Sequence, residues 1–280
     1  MYQKMMGKFM YSCEVNFANV FRSVVLPFYL RIKLGEGGIT LFNVTHTWFA
    51  THNLVQTTIV LIISILVLCA LYGFNDYLDR KADMLNPKKD QKFVLLINQN
   101  SNAFLFINFI LKTVLLIAVY LLWGYWQLLF LFLLFVVNIL YSVKVKSIPI
   151  ADIAIVCVWG AAITLFVPTI DIELSIIAGI MTGIAHIYQM RSDKDIDAQN
   201  NVTTSIARFP QWAFFQQLVL CLALGAMFSY FNQRLMLVAS AITPFLLYVF
   251  INRNEQAWFY SRVYFAVAWI ILLINKYGSI

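Results

Sequence analysis

Residues 55–83 read VQTTIVLIISILVLCALYGFNDYLDRKAD. The first twenty of them, Val55 to Phe74, are nearly all apolar, the length a helix needs to cross about 30 Å of hydrocarbon. The stretch then changes character within one residue, to Asn75, Asp76, Asp79 and Asp83. At helical spacing the three acids stand at i, i+3 and i+7, so one face carries them all. A membrane span that ends in a row of carboxylates is therefore the first element of the fold.

A second row repeats the arrangement. Asp193 and Asp197, at i and i+4, close another apolar segment, with Asp195 between them. Six of the 13 acids in the chain lie in these two rows. Carboxylates so crowded at a membrane edge repel one another and resist desolvation unless something positive holds them. Magnesium suits such a site, because it prefers oxygen ligands, keeps several waters and is shared between carboxylates and substrate phosphates. Two rows facing each other would hold ions that bridge a diphosphate.

Working outward, the 280 residues are 61% hydrophobic and 12% charged, with a mean hydropathy of +0.78. That composition excludes a soluble domain and predicts an all-α polytopic protein in the lipid bilayer. The apolar segments number nine: Phe17 to Lys33, Val55 to Phe74, Ala103 to Trp123, Gln127 to Tyr141, Ile150 to Pro168, Ile172 to Met190, Trp212 to Phe231, Leu235 to Ile251 and Phe259 to Ile274. We read them as one domain over 1–280, preceded by an interfacial segment at 1–16 and carrying its site loops at 75–102 and 191–211. No cleaved signal peptide is expected, because the first sixteen residues are basic and mixed.

The net charge of +7 does not point to nucleic acid, since the bases lie in loops of one parity. Lys4 and Lys8, the Arg80 to Lys92 group, Lys144 and Lys146, and Arg191, Lys194 and Arg208 all fall on one side. By the positive-inside rule, the amino terminus and both acidic rows are cytoplasmic, and nine spans put the carboxyl terminus outside. Cys13, Cys69, Cys157 and Cys221 have no metal or redox spacing and are read as reduced packing residues.

Other polar residues divide between roles. Arg22 and Arg31 lie in or beside the first segment and either snorkel or face the bundle interior. Gly35 to His52 reads as a polar and aromatic connection, with His46 and His52 at the interface. Asn86-Pro87 ends the helix after the first row, and Lys88 and Lys89 read as solvated loop lysines. Trp123-Gly124-Tyr125-Trp126 makes a tight hairpin. The fourth segment ends in Tyr141-Ser142-Val143-Lys144-Val145-Lys146, on the same side as the acids. Asp152 is expected to pair with a loop lysine. His186, Tyr188 and Gln189 precede the second row; of these, His186 reads as a satisfied interior group, and one of the polar side chains as a substrate contact. The acidic rows close the second and sixth segments, which suggests a duplicated four-helix unit with a ninth helix added.

In these residues the chain resembles the UbiA superfamily of intramembrane prenyltransferases. The pattern Asn-Asp-x-x-Asp-x-x-x-Asp is met by Asn75, Asp76, Asp79 and Asp83, the pattern Asp-x-x-x-Asp by Asp193 and Asp197, and Thr204 stands at the usual distance downstream. Tyr141, Ser142 and a following lysine resemble the family as well. Three features depart from it: Met190 in place of an acid, Lys92-Phe93-Val94-Leu95 in place of an Arg-Pro-Leu run, and Asn201 in place of a glycine.

The resemblance implies nine helices around a central cavity, two Mg2+ ions held by Asp76, Asp79, Asp83, Asp193 and Asp197, and Asn75 orienting the first row. It implies Arg22, Lys144, Lys146 and Lys194 as candidates for the diphosphate, and Tyr141, Ser142, Tyr188 and Gln189 as candidates on the acceptor side. The implied reaction is transfer of a prenyl group from a polyprenyl diphosphate to an aromatic, quinone-precursor or lipid acceptor. Superfamily chemistry also includes terpenoid cyclisation and phosphoribosyl transfer to a lipid phosphate. A cation transporter would need acids near the midplane on several spans, whereas these cluster at one face.

Overall fold

The computed structural model describes residues 38–84, 89–199, 204–230, 242–246, 249 and 254–278. Among them the regular elements are helical: α1 (Gly38–Thr51), α2 (Leu54–Asp83), α3 (Gln91–Gln99), α4 (Ser101–Trp123), α5 (Tyr125–Val143), α6 (Ala151–Leu165), α7 (Ile172–Gln199), α8 (Ser205–Arg208), α9 (Pro210–Tyr230) and α10 (Asn254–Tyr277). Six helices are long and apolar enough to cross a membrane: α2, α4, α5, α7, α9 and α10. α6 is apolar but shorter. The expected first segment, with Arg22 and Arg31, lies outside the described residues, as does most of the eighth.

The two longest helices carry the acidic rows. α2 has 30 residues and α7 has 28, so they run about 45 and 42 Å, some 12 to 15 Å more than the hydrocarbon core. The excess is the acidic end of each. α2 starts cleanly because the Asn53 side chain accepts from the Gln56 backbone N–H at 3.0 Å. α4 and α5 form the expected hairpin at Gly124, whose φ of 98° suits glycine.

The helices close into a ring: α1 on α2, α2 on α4 and α5, α5 on α6, α6 on α7, α7 on α10, and α10 back on α1. The two largest of the apolar cores among the described residues follow this ring. One joins α2, α4, α5 and α6, and the other joins α1, α7, α9 and α10. The α6–α7 packing is the most extensive, and small residues permit it. A Cβ on Gly179 would stand 2.5 Å from the Cys157 carbonyl oxygen.

Two expectations change here, the connection with its His46 and the partner of Asp152. The connection at Gly35 to His52 is helical from Gly38, and His46 is 2% exposed rather than interfacial, bonded to the Tyr277 hydroxyl at 3.2 Å. Tertiary packing on α2 and α10 overrides a weak local pattern. Among the described residues Asp152 pairs with no lysine. It accepts from the Ser205 backbone N–H at 2.7 Å, the Ser205 hydroxyl at 2.6 Å and the Ile153 N–H at 2.8 Å, three donors that satisfy a buried carboxylate. Lys112, within α4, is buried with its ammonium 4.1 Å from the Phe74 ring centre and 5.6 Å from that of Phe135. Aromatic faces thus hold a cation that lipid would reject.

Candidate active site

A cavity of about 300 Å3 opens between the two acidic helices. From α2 it is lined by Leu71, Tyr72, Asn75, Asp79, Ala82 and Asp83. These positions recur at helical spacing, so the face that α2 turns to the cavity carries Asn75, Asp79 and Asp83. Asp76 is buried beside them but does not line it. From α7 the lining residues are Met181, Thr182, Ala185, His186, Gln189, Met190, Asp193 and Asp197, again one helical stripe. Residues more than 100 positions apart in the chain thus share one space, acidic at the helix ends and apolar toward Phe42, Val156, Trp159 and Phe265.

Lysines temper the acids. Lys146, in the turn after α5, reaches Asp79 at 2.9 Å, and Lys89 reaches Asp83 at 3.3 Å. Both line the cavity. Burial works against the charge on Lys146, but Asp79, with Asp197 and Asp83 behind it, holds the ammonium above its ordinary pKa. Asp197 goes the other way. Burial, reinforced by Asp193 and Asp79 and opposed by Lys146, pushes it up to about 6.

The sequence candidates sort cleanly. Asn75 accepts from the Ser142 hydroxyl at 3.2 Å, so Ser142 braces the first row rather than facing an acceptor. Tyr141 and Gln189 line the cavity. Tyr188 does not: it is fully buried, and its hydroxyl donates to the Pro244 carbonyl, because its neighbours 186 and 189 take the cavity face of the helix. Lys144 and Lys194 are exposed and off the cavity, so Lys146 is the described candidate cation that remains beside Lys89. Thr204 lines the cavity and caps α8, accepting from the Ala207 N–H at 3.3 Å. Asn86, Pro87 and Lys88 lie outside the described residues.

In the sequence Arg262 goes unrecognised, Lys89 reads as a solvated loop lysine, and His186 reads as an interior group with a substrate contact as the alternative. Arg262 lines the space from α10, stacked at 4.0 Å on the Trp258 ring. His186 lines it from α7, with its Nε2 3.1 Å from the Tyr141 hydroxyl. Its position seven residues before Asp193 puts it on the acidic face, and that spacing was legible.

The donor set fits a hard cation bound with its ligand. Oxygen donors from two walls meet in one cavity, and cations stand beside them. Among the described residues no three His, Cys, Asp or Glu side chains close into a ready-made metal cage. Magnesium does not need one, since waters and phosphate oxygens supply the rest of its octahedron.

The model of the UbiA prenyltransferase family matches residues 39–274. The chain belongs to this family. Its fold is also that of solved UbiA proteins. A UbiA homologue from Archaeoglobus fulgidus, bound to DMAPP and Mg2+, superposes with a TM-score of 0.66 at 14% identity, over 88% of this chain and 99% of the other. A structure of a UbiA homologue from the same organism, bound to GPP and Mg2+, gives 0.64 at 13% identity, over 89% and 99%. No protein of curated function is significantly similar in sequence. UbiA membership and the six apolar helices make this an integral membrane protein.

Proposed function

We propose that this UbiA protein transfers a prenyl group from an allylic diphosphate to an acceptor within the membrane. The observation that carries the reading is the meeting of both acidic rows at one end of a cavity that is apolar toward Phe42, Val156, Trp159 and Phe265. The Archaeoglobus homologues, with a prenyl diphosphate and Mg2+ bound, support it by analogy of fold.

In this reading Asp79 and Asp83 on α2, with Asp76 buried behind them, and Asp193 and Asp197 on α7 would hold two Mg2+ ions. When bound, these ions neutralise the charge that develops on a departing diphosphate. The chain's own residues do the rest. Asn75, braced by Ser142, sets the orientation of the first row. Lys146 and Lys89, now on Asp79 and Asp83, exchange carboxylate oxygens for those of the diphosphate. Phe42, Val156, Trp159, Met181 and Phe265 surround the prenyl chain and exclude water from an allylic cation. Tyr141 and Gln189 face the acceptor side.

We further propose a single domain with nine spans built as two four-helix units plus one, with the amino terminus and acid rows in the cytoplasm. The test of function is magnesium-dependent diphosphate release from allylic donors of increasing length, with host lipid extract as the acceptor source. Release that requires magnesium and the extract supports the transferase. Release without extract points to a cyclase. No release from any allylic donor by folded protein overturns the reading.

A further inference from the structure

Two stretches 53 residues apart in the chain meet at a buried carboxylate. Asp152, in the first turn of α6, and Ser205, the first residue of α8, are both fully buried. The Ser205 N–H donates to one Asp152 oxygen at 2.7 Å, and the Ser205 hydroxyl donates to the other at 2.6 Å. The Ile150 N–H donates in turn to the same hydroxyl oxygen at 2.6 Å. The hydroxyl thus uses its one proton and accepts another, which closes the joint. Beside it Ile206 packs with Ile153, Ile187 and Met190 and fixes α8 against α6 and α7.

Ile150 is held in a conformation that its side chain opposes. Its φ is 75° and its ψ −48°, and a β-branched residue at positive φ is strained. The other non-glycine residue at positive φ among the described residues, His52, lies in the exposed connection before α2. Strain of this kind persists only where the surroundings over-determine it. At Ile150 the constraint is the bond into the Asp152–Ser205 pair. Both sides of the joint lead to the cavity. Four residues before Ile150 stands Lys146, on Asp79 of the first row at 2.9 Å, and one residue before Ser205 stands Thr204, on the segment that returns from the second row.

We propose that Asp152 is a positioning residue for the diphosphate end of the cavity. Through Ser205 and the strained Ile150 it holds Lys146 and Thr204 in register, so that the turn after α5 and the segment after the second acidic row meet the donor as one unit. The proposal rests on the prenyl-transfer reading. Asp152 belongs to neither acidic row and does not line the cavity, so its carboxylate sets geometry and binds no ligand. Both of its oxygens must accept. An asparagine there would keep the shape and turn an amide donor against a donor of Ser205.

A buried network that served stability alone would behave differently under substitution. If the joint aims Lys146, losing the joint and losing Lys146 remove the same contact, and the two changes are non-additive. A general loosening of the fold would add to the loss of Lys146. Ile150 offers a second handle. Glycine adopts positive φ without strain, so Ile150→Gly keeps the turn aimed when the Ser205 hydroxyl is gone. It should therefore restore part of what Ser205→Ala loses.

The test uses full-length protein in nanodiscs and two readouts that need no turnover. The first is amide hydrogen exchange without donor or metal. Ser205→Ala and Asp152→Asn should each speed exchange about tenfold at residues 145–150 and 204–208 together, the scale of losing a buried hydrogen bond. Faster exchange in only one of the two segments, or in neither, overturns the joint. The second is calorimetric affinity for geranyl diphosphate with Mg2+. Ser205→Ala should raise Kd about tenfold in the otherwise wild-type chain and less than about threefold in Lys146→Ala. Adding Ile150→Gly to Ser205→Ala should recover about threefold of the loss. Equal losses with and without Lys146, and no recovery from the glycine, overturn the positioning role. A wild type that binds the donor but never releases diphosphate removes the transferase reading and leaves the joint to stand on these ratios. A wild type that does not bind the donor overturns both.

Discussion

The two ends of the bundle are built from the same side chains and used in opposite ways. At the end away from the acidic rows, Asp171, Glu173, Lys276, Tyr277 and His46 tie α1, α7 and α10 together. Lys276 bridges Asp171 at 2.5 Å and Glu173 at 3.1 Å, and the Tyr277 hydroxyl donates to Asp171 at 3.2 Å. Every charge there meets an opposite charge. At the other end, among the described residues, Asp79, Asp83, Asp193 and Asp197 stand along a cavity, with Lys146 on Asp79 and Lys89 on Asp83. A closed network contributes stability. An open one with surplus charge waits for a ligand, because like charges at a membrane edge are costly until something neutralises them.

Breaking the open end should cost activity and spare the fold. Asp79→Ala or Asp193→Ala should lower magnesium-dependent turnover by at least about 10²–10³-fold, the scale of losing one electrostatic stabiliser. Melting in detergent should stay within about 1 kcal/mol of wild type, since Lys146, which loses its partner in Asp79→Ala, keeps Asp197 and Asp83 near it, and Asp193→Ala relieves repulsion on Asp197. Loss of the folded state in either variant would make the rows structural and erase the contrast.

Lys146→Ala should act next most strongly. Turnover should fall about tenfold to a hundredfold with weaker donor binding, the cost of one charge-assisted contact to the diphosphate. An unchanged donor KM and kcat would remove Lys146 from the site.

The closed end should respond in the opposite sense. Lys276→Met should destabilise the protein by about 1–2 kcal/mol, because it leaves Asp171 without its ion partner, while turnover stays within twofold. Its pH dependence follows from Asp171. Burial alone would raise that carboxyl, but the Lys276 bond and the Leu174 N–H outweigh it and hold it below the usual carboxylate range. A depressed folded pKa stabilises above the unfolded value of about 3.9 and is lost as pH falls through the folded one. Acid melting curves of wild type and Lys276→Met should therefore converge below about pH 4. Curves that stay parallel would assign the stability to something else.

The smallest effect sharpens the map of the cations. Lys144 and Lys194 are exposed and off the cavity, so alanine at either should change turnover less than twofold. A tenfold loss would show that the loops close over the ligand with these lysines inside.

Much of this was legible in the chain. The apolar lengths and the i, i+3, i+7 acids placed α2 and α7 and turned Asp79, Asp83, Asp193 and Asp197 to a common space. What stayed hidden depends on angles and partners that a one-dimensional pattern does not carry. Tyr188 and Gln189 are neighbours in sequence, yet helical geometry sends one into the core and the other into the cavity. Lys144 and Lys146 look equivalent, but the tight turn after α5 aims only the second at Asp79. Asp152 found backbone and hydroxyl donors on α8, about fifty residues away, where a lysine had been expected. His186, read as an interior group or a substrate contact, could have been assigned to the cavity from its place on the acidic stripe, since the stripe is a matter of counting by three and four.

The most direct test is whether the two rows act as one site. Binding of geranyl diphosphate with Mg2+ should be measured calorimetrically on wild type, Asp79→Ala and Asp193→Ala. The account predicts that the wild type binds only with the metal, and that either substitution alone abolishes metal-dependent binding. Retained binding in one of the two variants would contradict it, by showing that the ligand is held by a single helix end.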